Sequence, residues 1–263
     1  MTDKFRPLTD DQWNQIKHFF RNDSPYEYEI RNIFDAIRYQ TRTGCQWRNL
    51  PNCYPPFESV YYYFRKWKRS RLFEQINDYL NRRERVEVHG RADNPSLGLI
   101  DSQSVKLSPM IKKDRGTDGG KKVNGRKRTI LTDTLGRVWR CEVHAANVHD
   151  GKAGTDLIQP DLRTQMPRLA RILGDSSYNG YFRWQVEQEQ GVDYETPQRE
   201  HRSRGFVVQV KRWVVERSFA WWNFFRRLVK DYERTTESSE MFVYMANIEI
   251  VLHSLCPLDK QKI

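Results

Sequence analysis

Leu97-Gly98-Leu99-Ile100-Asp101 is a short apolar run closed by a carboxylate, and Ala170-Arg171-Ile172-Leu173-Gly174-Asp175 repeats the pattern. Short apolar runs bounded by turn formers read as buried strands, here predicted over Leu97–Asp101 and Arg168–Leu173. Between and after them lie further strand patterns, Arg128–Thr132, Arg137–His144 and Val192–Thr196. Helical patterns follow at Asp150 to about Thr164, Tyr181–Gln190, Phe206 to about Lys230 and Ser238 to about Leu255. The order β-β-β-α-β-α-β-α describes a mixed sheet covered by helices, an α/β fold. In that order the first and fourth strands can lie side by side, with Asp101 and Asp175 at neighbouring strand ends.

Upstream the pattern is different. Thr9-x-x-Gln12 reads as a capping box opening a helix through about Phe20. Ile30, Ile33, Phe34 and Ile37 share one face of a second helix that Gly44 stops. Trp47 and Leu50 should pin the loop that follows, and two more helices are predicted over Phe57–Trp67 and Leu72 to about Arg83. The turn-rich stretch His89-Gly90-Arg91-Ala92-Asp93-Asn94-Pro95 marks a boundary. The expected organisation is a helical module over residues 1–90 and a mixed-sheet domain over 91–263.

The chain has 263 residues, a hydrophobic fraction of 38% and a net charge of +11. That is enough apolar material for a core, and the charge points to an acidic partner such as nucleic acid. Residues 1–90 carry sixteen basic against twelve acidic side chains, 112–128 eight against two, and 199–234 ten against four; the rest sums to −5. Arg65, Lys66, Lys68 and Arg69 cluster around Trp67, and basic runs interleaved with aromatic residues favour phosphate contact over a merely solvated face. No run approaches the roughly 18 apolar residues of a membrane span, and MTDKFRPLTD lacks a signal peptide's apolar region. The expected location is therefore the cytoplasm. Cys45, Cys53, Cys141 and Cys256 form no Cys-x-x-Cys pair, which favours reduced thiols over a structural metal. His144 and His149 flank a strand end, where a structural role is the plainer reading.

Glu216 follows Trp213-Val214-Val215 on the predicted late helix, near its buried edge, with Arg212 four residues before it. Singly, an Asp after a strand is a turn former and a helix Glu is a solvated surface group. Together, three carboxylates can converge on one point. Two carboxylates about 4 Å apart repel by roughly 4 kcal/mol at an effective dielectric of about 20. A hard cation such as Mg²⁺ removes that conflict and takes oxygen ligands together with substrate phosphates. Gly119 to Arg128 mimics a phosphate loop, but Arg126-Lys127 stands where that motif needs Lys-Ser/Thr, and a strand follows instead of a helix. A basic hairpin arm, Lys121, Lys122, Arg126, Lys127 and Arg128, touching DNA backbone is expected instead.

At Thr43-Gly44-Cys45-Gln46-Trp47-Arg48-Asn49-Leu50-Pro51, Ile100-Asp101-Ser102-Gln103-Ser104-Val105-Lys106, Asp118 to Arg128 and Val215-Glu216-Arg217-Ser218-Phe219-Ala220-Trp221, the chain resembles bacterial insertion-sequence transposases of the DDE class, insertion sequence 5 group. The resemblance implies an RNase H-like catalytic domain with Asp101, Asp175 and Glu216 as the acidic triad. It implies Mg²⁺ as the physiological metal, with Mn²⁺ as a substitute. Asp101 and Asp175 would bridge the metals and Glu216 would complete the second site. It further implies that the helical module binds terminal inverted repeats, that a homodimer forms on DNA, and that the protein works at the nucleoid on target DNA. Arg212 and the Lys121–Arg128 arm would hold backbone phosphates. Two positions depart from the family signature around the last acid: Gln209 stands where Tyr is usual and Asn223 where Lys is usual. Arg226 or Arg227 is the expected replacement cation. The rival functions are a catalytically silent protein that binds transposon ends, and a structure-selective nuclease on the same fold.

Overall fold

The computed structural model describes residues 5–20, 28–159, 162–196 and 212–257. In chain order the elements are α1 (Asp10–Ile16), α2 (Ile30–Thr43), α3 (Phe57–Arg69), α4 (Leu72–Glu87), β1 (Leu97–Lys106), β2 (Gly116–Asp118), β3 (Val123–Thr132) and β4 (Val138–Ala145). Then come α5 (Asp150–Ile158), α6 (Leu162–Gln165), β5 (Arg171–Leu173), α7 (Tyr181–Gln188), β6 (Asp193–Glu195), α8 (Arg212–Trp222), α9 (Arg226–Val229) and α10 (Thr236–Leu255). The chain forms two compact units, one of residues 1–91, 222–229 and 241–263, the other of residues 92–221 and 230–240.

The helical unit is built from local signals that work as their chemistry dictates. The Thr9 side chain accepts the Gln12 N–H at 3.2 Å and the Gln12 side chain accepts the Thr9 N–H at 3.2 Å, closing the capping box at α1. Gly44 ends α2 at φ 72°, a left-handed conformation that costs a side-chain-bearing residue more than glycine. Phe34, Trp67 and Phe73 pack as aromatic neighbours inside the unit, and Trp47 lies against Tyr61, Phe64 and Phe242. The chain leaves this unit after Arg91 and returns to it twice. Asn247 of α10 donates to Asn77 and Asn81 of α4 at 2.6 and 3.0 Å, and α9 packs on α2.

The sheet unit carries strands in the order β2-β3-β1-β5-β6, with β4 also paired to β3. β1 runs antiparallel to β3, and β5 lies parallel to both β1 and β6. β3 is an interior strand: β1 pairs along one of its edges, while β2 and then β4 pair along the other. Ile100, Leu131, Trp139, Ile172 and Tyr194 of the sheet bury against Leu157, Ile158, Phe182 and Val186 of α5 and α7. The strand expected over Leu97–Asp101 runs on to Lys106, because Ser102 to Val105 pair with Thr129 to Arg126. The polar alternation of Ser102, Gln103 and Ser104 conceals this from an apolar-run reading. The single helix expected over Phe206 to about Lys230 is, where described, α8 and α9, with the chain turning between Trp222 and Arg226. Residues 206–211, Gln209 among them, lie outside the described residues, and Asn223 stands in that turn.

Candidate active site

Asp101 and Asp175 are brought together by strand register. Leu97, Gly98 and Leu99 pair in parallel with Arg171, Ile172 and Leu173. Two residues beyond Leu99 is Asp101, and two beyond Leu173 is Asp175, whose backbone is still extended at φ −84° and ψ −179°. Neighbouring strands lie about 4.8 Å apart, so continuing that register sets the two acids side by side. Gly174 keeps the approach close: a Cβ there would meet Ile100 Cγ2 and Tyr194 Oη, each at 2.7 Å. Asp101 sits within its strand rather than at its end, because β1 continues to Lys106.

Each acid is held by short-range bonds. Asp175 caps a single 3₁₀ turn, Ser176–Tyr178: its Oδ1 accepts the Ser177 N–H at 2.9 Å and also the Ser177 hydroxyl. Its carbonyl accepts the Tyr194 hydroxyl at 2.7 Å. Asp101 Oδ1 accepts the Ser102 N–H at 2.7 Å. A third carboxylate, which the sequence reading missed, joins from α5. Asp150 Oδ1 accepts the Ser102 hydroxyl at 3.0 Å and pairs with Lys127 Nζ at 2.9 Å. Tyr178 is fully buried among these acids. Burial, then Asp101, Asp150 and Asp175, push its phenol well above the usual range, so it stays protonated. Nothing in the spacing of Asp150 or Tyr178 singles them out; their convergence is a product of the α5–β1 packing.

Glu216 is placed differently. α8 buries Val215, Ser218, Phe219 and Trp222, and Glu216 beside them is exposed rather than on the buried edge. Among the described residues, no group of three or more His, Cys, Asp or Glu side chains is arranged to hold a metal ion. A preformed cage is not what Mg²⁺-type sites require, since one or two carboxylates plus substrate phosphates suffice. The oxygen-only donors of the Asp101–Asp175 edge fit a hard divalent cation.

The basic residues divide. Arg126, Lys127 and Arg128, expected on a DNA-touching arm, are buried in β3, and that expectation is corrected for these three. Arg126 Nη1 reaches Asp231 at 3.4 Å and the Glu233 carbonyl at 2.9 Å, while Nη2 reaches the Lys113 carbonyl at 3.0 Å. Burial lowers the pKa of Arg128. β3 has neighbours on both edges and is buried from Gly125 to Thr132, so its cations point into the protein. Lys121 and Lys122 remain exposed at the hairpin tip, with Lys121 Nζ donating to the Ser102 carbonyl at 3.1 Å. Arg227 is buried too, donating to the Cys45 carbonyl at 3.3 Å and stacking 5.2 Å above Phe242, whereas Arg226 is exposed. On α3, Arg65, Lys66 and Arg69 are exposed and Lys68 is half-buried, opposite the buried face Val60, Tyr63, Phe64 and Trp67. Arg212 is the first residue of α8. His149 accepts the Gly151 N–H at 3.1 Å as the cap of α5, and His144, held neutral by burial, bonds Thr129 at 2.9 Å.

Two family models match the chain. One, described as a putative transposase of the IS4/5 family, matches residues 8–77. The other, described as a transposase DDE domain, matches residues 92–248. No curated protein matches. No described helix is long and apolar enough to cross a membrane.

Proposed function

This chain belongs to the DDE transposases of the IS4/IS5 type, and on that premise we propose that it cuts the ends of an insertion element and joins the freed strands to target DNA. The observation that carries this reading is the parallel β1–β5 register, which sets Asp101 beside Asp175 at one sheet edge. Glu216 is proposed as the third acid of the triad, on the resemblance of Val215 to Trp221 to the family's last motif. Family membership makes divalent metal dependence the expectation, with Mg²⁺ the proposed ion and Mn²⁺ its substitute. Bound divalent ions supply Lewis-acid polarisation of the scissile phosphate and a more acidic attacking hydroxyl.

The chain's own residues do the rest. The Ser177 N–H and hydroxyl restrain the Asp175 carboxylate, the Tyr194 hydroxyl restrains its backbone carbonyl, and the Ser102 N–H restrains the Asp101 carboxylate, which would hold both acids ready for the phosphodiester. Lys127 balances Asp150, which leaves the net negative charge of the edge on Asp101 and Asp175. Lys121, Lys122, Arg212 and Arg226 are the cations assigned to backbone phosphates. Arg65, Lys66, Lys68 and Arg69 of the helical module are assigned to the terminal inverted repeats, with a homodimer assembling on the DNA at the nucleoid.

The test is cleavage of a duplex carrying the inverted repeats that bracket the gene. Asp101→Ala should still bind those ends yet cut at least about 10³-fold more slowly. Wild-type cutting by the variant would sink the triad. The exposed Glu216 favours one rival, a silent protein that only binds transposon ends. That rival expects no Mg²⁺-dependent nicking from the unmodified protein either.

A further inference from the structure

The turn between β3 and β4 is built more firmly than a surface hairpin needs. Asp133, itself buried, accepts the Leu135 and Arg137 N–H groups through Oδ1 at 2.9 and 3.1 Å. Its carbonyl accepts the Gly136 N–H at 3.0 Å. This leaves the Leu135 and Gly136 carbonyls facing α8, and both are used. Arg217 Nη2 donates to Leu135 O at 3.1 Å, and the buried Ser218 hydroxyl donates to Gly136 O at 2.7 Å. The Arg217 guanidinium lies 4.9 Å from the Trp213 ring and 4.7 Å from the Trp221 ring, with Arg137 5.3 Å from Trp221. Gly136 has φ +79°, and a Cβ there would come within 2.8 Å of Ser218 Oγ and 3.4 Å of the Val214 carbonyl. The contact therefore demands glycine for its backbone conformation and for its clearance.

These bonds fall on the two residues that directly follow Glu216. We propose that the Asp133–Arg137 turn is a dock that sets the rotation and height of α8, making Gly136, Arg217 and Ser218 positioning residues for Glu216. The proposal rests on the reading of Glu216 as the third acid. Side chains stand about 6 Å from a helix axis, so a rotation of roughly 20° moves a carboxylate by about 2 Å. Mg²⁺ demands near-ideal ligand geometry at about 2 Å, and such a slip is enough to lose a ligand. The apolar stripe of Val215, Phe219 and Trp222 is buried, but apolar contact is non-directional and sets rotation less sharply than a hydrogen bond does. Two directional hydrogen bonds to a rigid turn oppose rotation.

The experiment is a Mn²⁺ titration of the full chain on terminal-repeat DNA, read by the free-ion resonance signal, for the wild type, Gly136→Ala, Ser218→Ala, Glu216→Gln and the double variant Gly136→Ala with Glu216→Gln. Gly136→Ala should weaken Mn²⁺ binding about tenfold, on the scale of other ligand-supporting groups, while metal-free end binding stays within twofold. Ser218→Ala, which adds no bulk and endangers folding less, should weaken it by a smaller factor in the same direction. In the Glu216→Gln background, adding Gly136→Ala should change nothing further. If Glu216→Gln weakens binding but Gly136→Ala and Ser218→Ala do not, the dock is wrong and the third acid stands. An equal loss from Gly136→Ala in both backgrounds also overturns the dock, since the damage would not act through Glu216. If Glu216→Gln itself leaves Mn²⁺ binding unchanged, the third-acid reading fails and the dock falls with it.

Discussion

Two groups of charged residues are equally conspicuous in the sequence, and the fold treats them in opposite ways. At the β1–β5 edge, Asp101 and Asp175 are gathered side by side and left partly accessible. In β3, Arg126, Lys127 and Arg128 are taken into the protein and matched to internal partners, Asp231 and Asp150 among them. Both β1 and β3 are interior strands, so the difference lies in what flanks each stretch. The short β5 ends at Leu173 and the chain turns at Asp175, which leaves Asp101 and Asp175 partly accessible. β3 is paired on both sides over Arg126 to Arg128 and covered, so its charges must find partners inside. Charge density along a sequence therefore does not by itself distinguish a ligand-binding arm from an internal brace.

That contrast can be broken experimentally, and the largest effect is expected in the brace. Arg126→Ala removes the ion-pair partner at 3.4 Å from the buried Asp231, leaving it the nearby Arg128, and strips the Glu233 and Lys113 carbonyls of a donor. A loss of about 3–5 kcal/mol in stability is expected, the usual penalty for halving a buried pair. Urea denaturation measures it. An unaltered midpoint with weakened DNA binding would return Arg126 to the DNA-contacting arm.

The accessible edge should respond the other way round. Ser177→Ala removes the hydroxyl that donates to Asp175 but leaves the backbone donor in place. Cleavage is expected to fall about 10–100-fold, with little change in thermal stability. A drop in Tm without a drop in cleavage rate would mean that Ser177 supports the fold and not the acid.

The smallest effect concerns a carboxylate on the edge of the same sheet. Glu142 on β4 is pushed up from 4.5 to about 7, first by burial and then by Asp156. The folded chain thus keeps this proton to a higher pH than the unfolded chain does. Stability from this group is present below about pH 4.5 and is lost as pH rises through about 7. Glu142→Gln should remove that loss and raise Tm above pH 7 by an amount on the order of 2 °C. Parallel Tm–pH curves for the two proteins would refute the assignment.

Much of this was legible before any coordinates. The capping box at Thr9, the stop at Gly44 and the apolar runs ending at Asp101 and Asp175 are signals written within a few residues of where they act. Their hydrogen bonds and steric demands are local, so the sequence determines them. Element order also allowed the first and fourth predicted strands to lie side by side, and they pair as β1 and β5.

Other features depended on contacts between residues far apart in the chain, and only the tertiary structure decided them. β3 lies between β1 on one edge and β2 and β4 on the other, and that placement buried Arg126, Lys127 and Arg128. The packing of α5 on the sheet brought Asp150 against Lys127 of β3 beside the acidic edge, where Tyr178 is enclosed. The return of α9 and α10 to the helical unit, and the anchoring of α8 on the Asp133–Arg137 turn, are likewise pairings between distant segments. Whether a charge is buried depends on which distant surface covers it. Periodicity along the chain does not carry that information, because it reports which side of an element is apolar and not what comes to rest against it.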